Sequence, residues 1–316
     1  MEVNAETLRT RTRRGIAAAF CCYIMWGLFP LYWKLLDHVN SFEIIAQRMI
    51  WCFVFTALIC FIGRWDFIGL LKDRRALRYL IPAAMLITVN WSTYIFAVDM
   101  DRIVETSIGY YLNPLVSIVL GLIIFKERMT PLQWIAVALC IGGLSLFIAG
   151  YGEIPWISII LAISFGLYGA VKKKGGYPPV EAIAVESAVM MPFAVIFAVV
   201  LAATTGGCAF LGDTGDAAGW TTTALLIGGG AITAVPLILF ATAANSIPLV
   251  LLGFIQYVSP TIALIIGVLV NGEPFTVAHA VCFGCIWAGL ALVGIDAVRT
   301  NVLAARHTKA EHQHNR

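Results

Sequence analysis

Arg48 stands inside an apolar run from Phe42 to Ile62. An ionisable side chain in such a run needs either a partner or water. Two carboxylates are candidates for that partner. Glu43 opens the same run, and Glu105 opens a later one, Val104–Ile124, at similar depth. Two readings of the trio are open. Arg48 pairs with Glu105 or Glu43 and a bound carboxylate or a proton competes for the pair, or the pair is a fixed structural bridge between two helices. On the first reading Glu105→Gln would remove any pH dependence the site confers.

A second group combines aromatic rings with amides. Asn90, Trp91 and Tyr94 fall in one run, with Asn90 and Tyr94 four apart and so on one helix face. Tyr110, Tyr111 and Asn113 precede Pro114, and Gln256 and Tyr257 precede Pro260. Each proline lacks an amide donor and frees a carbonyl one turn back. In lipid such carbonyls are tolerated only where protein or water satisfies them. The two prolines should therefore face the bundle interior. One reading makes these residues the walls of a cavity suited to an amphipathic organic molecule. The other makes the amides ties between helices and the tyrosines interfacial anchors. Trp26, beside Gly27 and four residues before Pro30, is a further cavity candidate.

Other chemistries lack their motifs. Cys282 and Cys285 have CxxC spacing, but no second pair completes a metal site. No GxxxxGK[ST], HExxH or GxSxG is present. We expect no metal, no cofactor, no nucleic-acid partner and no enzymatic activity.

The elements that hold these residues follow from composition. Of 316 residues, 60% are hydrophobic and 12% charged, about half the charged share of a soluble domain. The apolar residues fall in blocks long enough to cross a membrane as helices. These are Gly15–Leu35, Phe42–Ile62, Leu77–Val98, Val104–Ile124, Leu132–Gly150, Ile154–Val171, Ala182–Ala202, Thr221–Ala241, Leu249–Val270 and Val277–Val298. Nothing alternates as a membrane barrel strand would. The fold class is all-α and polytopic, with ten spans. Of 21 lysines and arginines, 18 fall on one side if the N-terminus is inside. The positive-inside rule then puts both termini in the cytoplasm, with the cell membrane as the location.

The halves match each other at an offset of 146 residues. Tyr111 falls on Tyr257, Pro114 on Pro260, Gly121 on Gly267, Glu127 on Glu273, Thr130 on Thr276 and Gly143 on Gly289. A repeat of five spans is odd, so the second copy must be inverted. Inverted repeats place a binding site near the midplane between the copies. The expected division is residues 1–14 as a leading segment, 15–150 and 151–298 as the repeats, and 299–316 as a polar, disordered tail that could touch anionic lipid.

Each half carries Pro–x6–Gly–x5–Glu: Pro114, Gly121, Glu127 and Pro260, Gly267, Glu273. These runs resemble the EamA repeats of the drug/metabolite transporter superfamily. Four segments resemble its RarD-type branch: YIMWGLFPLYWK from Tyr23, EIIAQRMIW from Glu43, ETSIGYYLNP from Glu105 and GFIQYVSP from Gly253. The resemblance covers roughly Gly15 to Asp296. It implies a ten-helix permease with a central cavity and a small-molecule substrate such as an amino acid, another metabolite or an amphipathic drug. Export is favoured by the resemblance alone. Proton coupling or exchange would drive it. The alternative is a membrane sensor or assembly protein that moves nothing.

Two further expectations concern acidic residues. Glu127 and Glu273 sit near Thr130 and Thr276, which have the spacing of helix N-caps, and the glutamates are expected to serve those helix starts. Glu181 and Glu186 are expected to form a salt-bridge cluster with Lys172–Lys174 at the membrane edge.

Overall fold

The structure is a computed structural model. It describes residues 2–100, 102–150, 154–205, 208–211, 217–270, 272 and 275–314. Among these, all regular elements are helical: α1 (Glu2–Trp33), α2 (Ser41–Gly63), α3 (Phe67–Lys72), α4 (Arg74–Asp99), α5 (Ile103–Ile124), α6 (Pro131–Ala149), α7 (Trp156–Gly175), α8 (Pro179–Thr205), α9 (Ala217–Ser246), α10 (Leu249–Gln256), α11 (Val258–Val270) and α12 (Val277–His314). Ten spans are long and apolar enough to cross a membrane, and α10 with α11 makes one of them.

Local chemistry sets several boundaries. Thr130 caps α6 in a reciprocal box with Gln133, and Pro131 takes the first helical position. His279 donates its amide to Thr276 Oγ1 at 3.4 Å, so Thr276 serves α12 in the same way. Arg64 closes α2 in the left-handed conformation. The ninth span breaks at Tyr257 because Pro260 cannot donate to the carbonyl of Gln256. Pro114 and Pro260 are both buried, facing the bundle as expected.

One element lies outside the expected spans, and one expectation needs correction. Short helix α3 intervenes between the second and third spans. The tail is not an irregular segment: the backbone of α12 runs helical to His314. No glycine or proline follows Gly294, and Leu, Ala, Arg and Lys are good helix formers, so nothing in that stretch stops propagation.

Phe61, Leu269 and Val277 are each 78% exposed or more and belong to the lipid-facing surface. Inside, α5 packs on α7, α4 on α7, α1 on α9 and on α11, α2 on α8, α5 on α10 and α6 on α12. Exchange the first five spans for the last five, and these pairs map onto one another or onto themselves. That is the packing a repeat requires. The end of the bundle where α1 begins is called the proximal face below, and the other end the distal face.

Candidate binding site

The site is built around Arg48, about two turns into α2 from the distal face. Its guanidinium carbon lies 4.6 Å from the ring centre of Trp33 on α1 and 4.8 Å from that of Trp91 on α4. Two indoles therefore cover the guanidinium, a cation–π arrangement suited to a poorly hydrated charge. Nε donates to Thr233 Oγ1 on α9 at 3.1 Å. Gly229, one turn from Thr233, leaves room for both Arg48 Cγ and the Trp33 ring, each 3.6 Å from where a Cβ would stand.

Tyr94 and Tyr110 complete the box. Their ring centres are 5.9 Å apart, and both are near enough to act on the charge of Arg48. Tyr110 is 42% exposed. It nevertheless lies about 180° around α5 from lipid-facing Val119, on the side packed towards other helices. Exposure there means an opening inside the bundle.

Below the box, towards the proximal face, aromatic rings close the path. Trp26 meets Tyr23 and Phe165 at 5.5 Å each and Phe240 at 5.7 Å. Tyr168 stacks on Phe240 at 5.5 Å. A polar latch seals the rim beyond. Glu127 accepts amide hydrogen bonds from Leu249 and Val250 at 2.8 Å each, and Lys173 Nζ lies 3.6 Å from it. Lys173 also donates to the Ile247 carbonyl at 2.6 Å, and Arg11 donates to the carbonyl of Asn245. These contacts close the proximal side of the box, whereas Trp33, Arg48, Trp91 and Tyr94 are only partly buried and Tyr110 is exposed.

The two carboxylates expected beside Arg48 are elsewhere. Glu43 accepts from the amides of Ala209 and Phe210 at 3.2 and 2.9 Å and from the Cys208 thiol at 3.0 Å, holding the turn after α8. Glu105 is fully buried; it accepts from the Ile157 amide at 3.1 Å at the start of α7 and pairs with Arg102. Neither forms an ion pair with Arg48. Helix phase decides this: both carboxylates are taken by backbone donors at the ends of neighbouring elements before their side chains reach the bundle interior.

Glu105→Gln is accordingly expected to lower the melting temperature and to leave the pH dependence of transport unchanged. Melting curves and flux at two pH values check both halves.

The other sequence candidates divide cleanly. Arg48, Trp91, Tyr94 and Tyr110 meet in one box, and Trp26 lies in the aromatic floor. Asn90 instead ties α4 to α7, donating to the Leu161 carbonyl at 2.8 Å and to Ser164 at 3.0 Å. Gln256 accepts from Ser117 at 3.3 Å, tying α10 to α5. Asn113 is buried on α5. Tyr111 packs edge-on against Phe147 and Phe283, and Tyr257 is buried among Cys140, Cys282 and Ile286. The repeat-related tyrosines thus hold α6 and α12 to the bundle and do not line the pocket.

Sequence reasoning missed Trp33 and Thr233. The spacing of Trp33 from Trp26, seven residues on one face, was the signal available for the first; nothing local marks the second. Glu127 serves the start of α10 and not that of α6, because Thr130 and Gln133 already satisfy α6. Glu273 lies outside the described residues. Glu186 is not at an edge: its carboxylate is buried with Lys172 at 2.6 Å and Tyr168 at 3.3 Å. It lines a cleft between α2, α4 and α8 that also reaches Cys52 and Trp91.

Fold and composition together define a polytopic α-helical membrane protein. Residues 13–149 match the EamA-like transporter family. Along nearly its whole length the chain is similar to "Uncharacterized transporter YojE" of Bacillus subtilis, 39% identical over 94% of this chain and 98% of that one. It is similar to "Protein RarD" of Streptomyces exfoliatus, 38% identical over 94% and 92%, and of Escherichia coli, 35% identical over 92% and 97%. A crystal structure at 15% identity shares the fold, with a TM-score of 0.67 over 88% of this chain and 96% of the other. The chain belongs to the EamA-like transporter family, in its RarD-type branch, and is a membrane transporter.

Proposed function

We propose that the chain is a secondary-active carrier of small organic metabolites or amphipathic molecules, working by alternating access. The observation that supports it is the Arg48 box, closed towards the proximal face by the Trp26–Phe240 floor and the Glu127–Lys173 latch and lined elsewhere by partly exposed side chains. A carrier needs a site that is reached from one side at a time, and two repeated halves supply two near-equivalent packings. The excess of lysine and arginine makes the proximal face cytoplasmic, so both termini are inside and the box faces outwards in this conformation. The energy comes from a proton gradient or from exchange, since the nucleotide-binding motif is missing from the chain.

Counterflow in proteoliposomes tests this reading. Vesicles loaded with pooled unlabelled metabolites are expected to accumulate the labelled counterpart saturably, and to respond to a pH gradient if protons are coupled. Folded, inserted protein that gives no accumulation from any pool would remove the carrier reading in favour of a sensor.

A further inference from the structure

We infer that the box takes an organic anion: a single carboxylate on an apolar or aromatic body, in preference to an amino acid, an amine or a neutral molecule. The inference rests on the carrier reading above and names its substrate class.

Arg48 carries a permanent charge. Within a span such a charge demands compensation, and no carboxylate of the described residues pairs with it. Among the described residues, the carboxylates that bear on the question are committed elsewhere. Glu43 serves the turn at Cys208–Phe210, Glu105 serves α7 and Arg102, and Glu186 serves Lys172. The two indoles cover the guanidinium on its faces, and Thr233 takes Nε. What is left is the in-plane edge, the two Nη groups, which make no hydrogen bond or ion pair with the described residues. That edge matches a carboxylate, which accepts two parallel N–H bonds in the guanidinium plane.

Two further donors point to the same ligand. The hydroxyls of Tyr94 and Tyr110 make no hydrogen bond with the described residues, their rings lie 5.9 Å apart, and both are near enough to act on the charge of Arg48. The Thr233 hydroxyl is not available, because it donates to the Gly229 carbonyl at 2.7 Å. The free polar groups of the box are thus one cationic fork and two phenols. An ammonium entering with the carboxylate would find no counter-charge there, which disfavours zwitterions. The indole and phenol rings offer apolar surface for the rest of the molecule.

The test uses four ligands with the same ring: phenylacetate, phenylacetamide, phenethylamine and phenylalanine. Melting temperature and indole fluorescence of the purified full chain are titrated with each at millimolar concentrations. Phenylacetate is expected to bind saturably, and the other three about tenfold more weakly or worse. Arg48→Gln should abolish phenylacetate binding, and Arg48→Lys, which keeps the charge without the fork, should weaken it about tenfold. Tyr110→Phe removes one oxygen and should weaken binding about threefold to tenfold while leaving the unliganded melting temperature unchanged. This last variant separates recognition from folding.

The anion assignment is overturned if the amide, amine or amino acid binds as well as the acid. It is equally overturned if Arg48→Gln binds the acid undiminished, or if none of the four binds. Counterflow distinguishes the two levels. Accumulation from amino-acid or neutral pools, with none from acid pools, overturns the anion and keeps the carrier. No accumulation from any pool overturns the carrier itself.

Discussion

Replacing Lys172 by methionine is expected to destabilise the protein by about 3–5 kcal/mol, while the double substitution Lys172→Met, Glu186→Gln recovers most of the loss. Both side chains are about 95% buried, and their charged atoms are 2.6 Å apart. Methionine keeps the length of lysine and removes its charge, so the single variant leaves a carboxylate buried against Tyr168 with no cation beside it. The cost is that of the stranded charge and not of the missing contact. Glutamine in place of Glu186 keeps an oxygen to accept from Tyr168 and removes the charge. Denaturant or thermal unfolding of the four proteins of this cycle checks it. Equal stability of the single and double variants would mean that water in the cleft beside Glu186 already compensates its charge.

Gly230→Ala is expected to cost about 3 kcal/mol or more, or to prevent accumulation of folded protein. A Cβ at Gly230 would stand 2.4 Å from the backbone carbonyl carbon of Trp51 and 2.7 Å from its oxygen. Backbone cannot rotate away as a side chain can, so α2 and α9 would have to separate. Arg48 rides on α2 and Thr233 on α9, so the same separation would pull the guanidinium off its anchor. Gly284→Ala is the control. Nothing lies within 4 Å of its Cβ position, and alanine is the better helix former, so its melting temperature should be unchanged or higher. If Gly230→Ala melts like that control, the close α2–α9 contact does not hold the site.

Both predictions depend on pairs that are far apart in the chain, and the same holds for the binding box. Arg48 was legible as the residue requiring explanation, because a charge in an apolar run stands out in any single sequence. Its partners were not legible. The natural guess was a carboxylate, since opposite charges attract at long range and few candidates existed. The structure places two indoles and a threonine there instead, and no carboxylate of the described residues pairs with Arg48. Asn90 shows the reverse case. Its spacing from Tyr94 correctly puts both on the interior of α4, but the rotation of α7 turns Asn90 into a tie and leaves Tyr94 in the box.

The sequence by itself determined the ten spans, the interior placement of Pro114 and Pro260, and the caps at Thr130 and Thr276. These depend on lipid as solvent and on hydrogen bonds within a few residues, so each span carries its own information. Only the tertiary structure decided that Trp33, Arg48, Trp91, Tyr94, Tyr110 and Thr233 share one chamber, that Glu127 closes the opposite rim on α10, and that Glu43 and Glu105 are spent at helix ends. Those outcomes depend on the rotation of each helix about its own axis. A rotation of about 100°, one residue's step, exchanges a pocket residue for a packing one, and only the neighbouring helices choose between them.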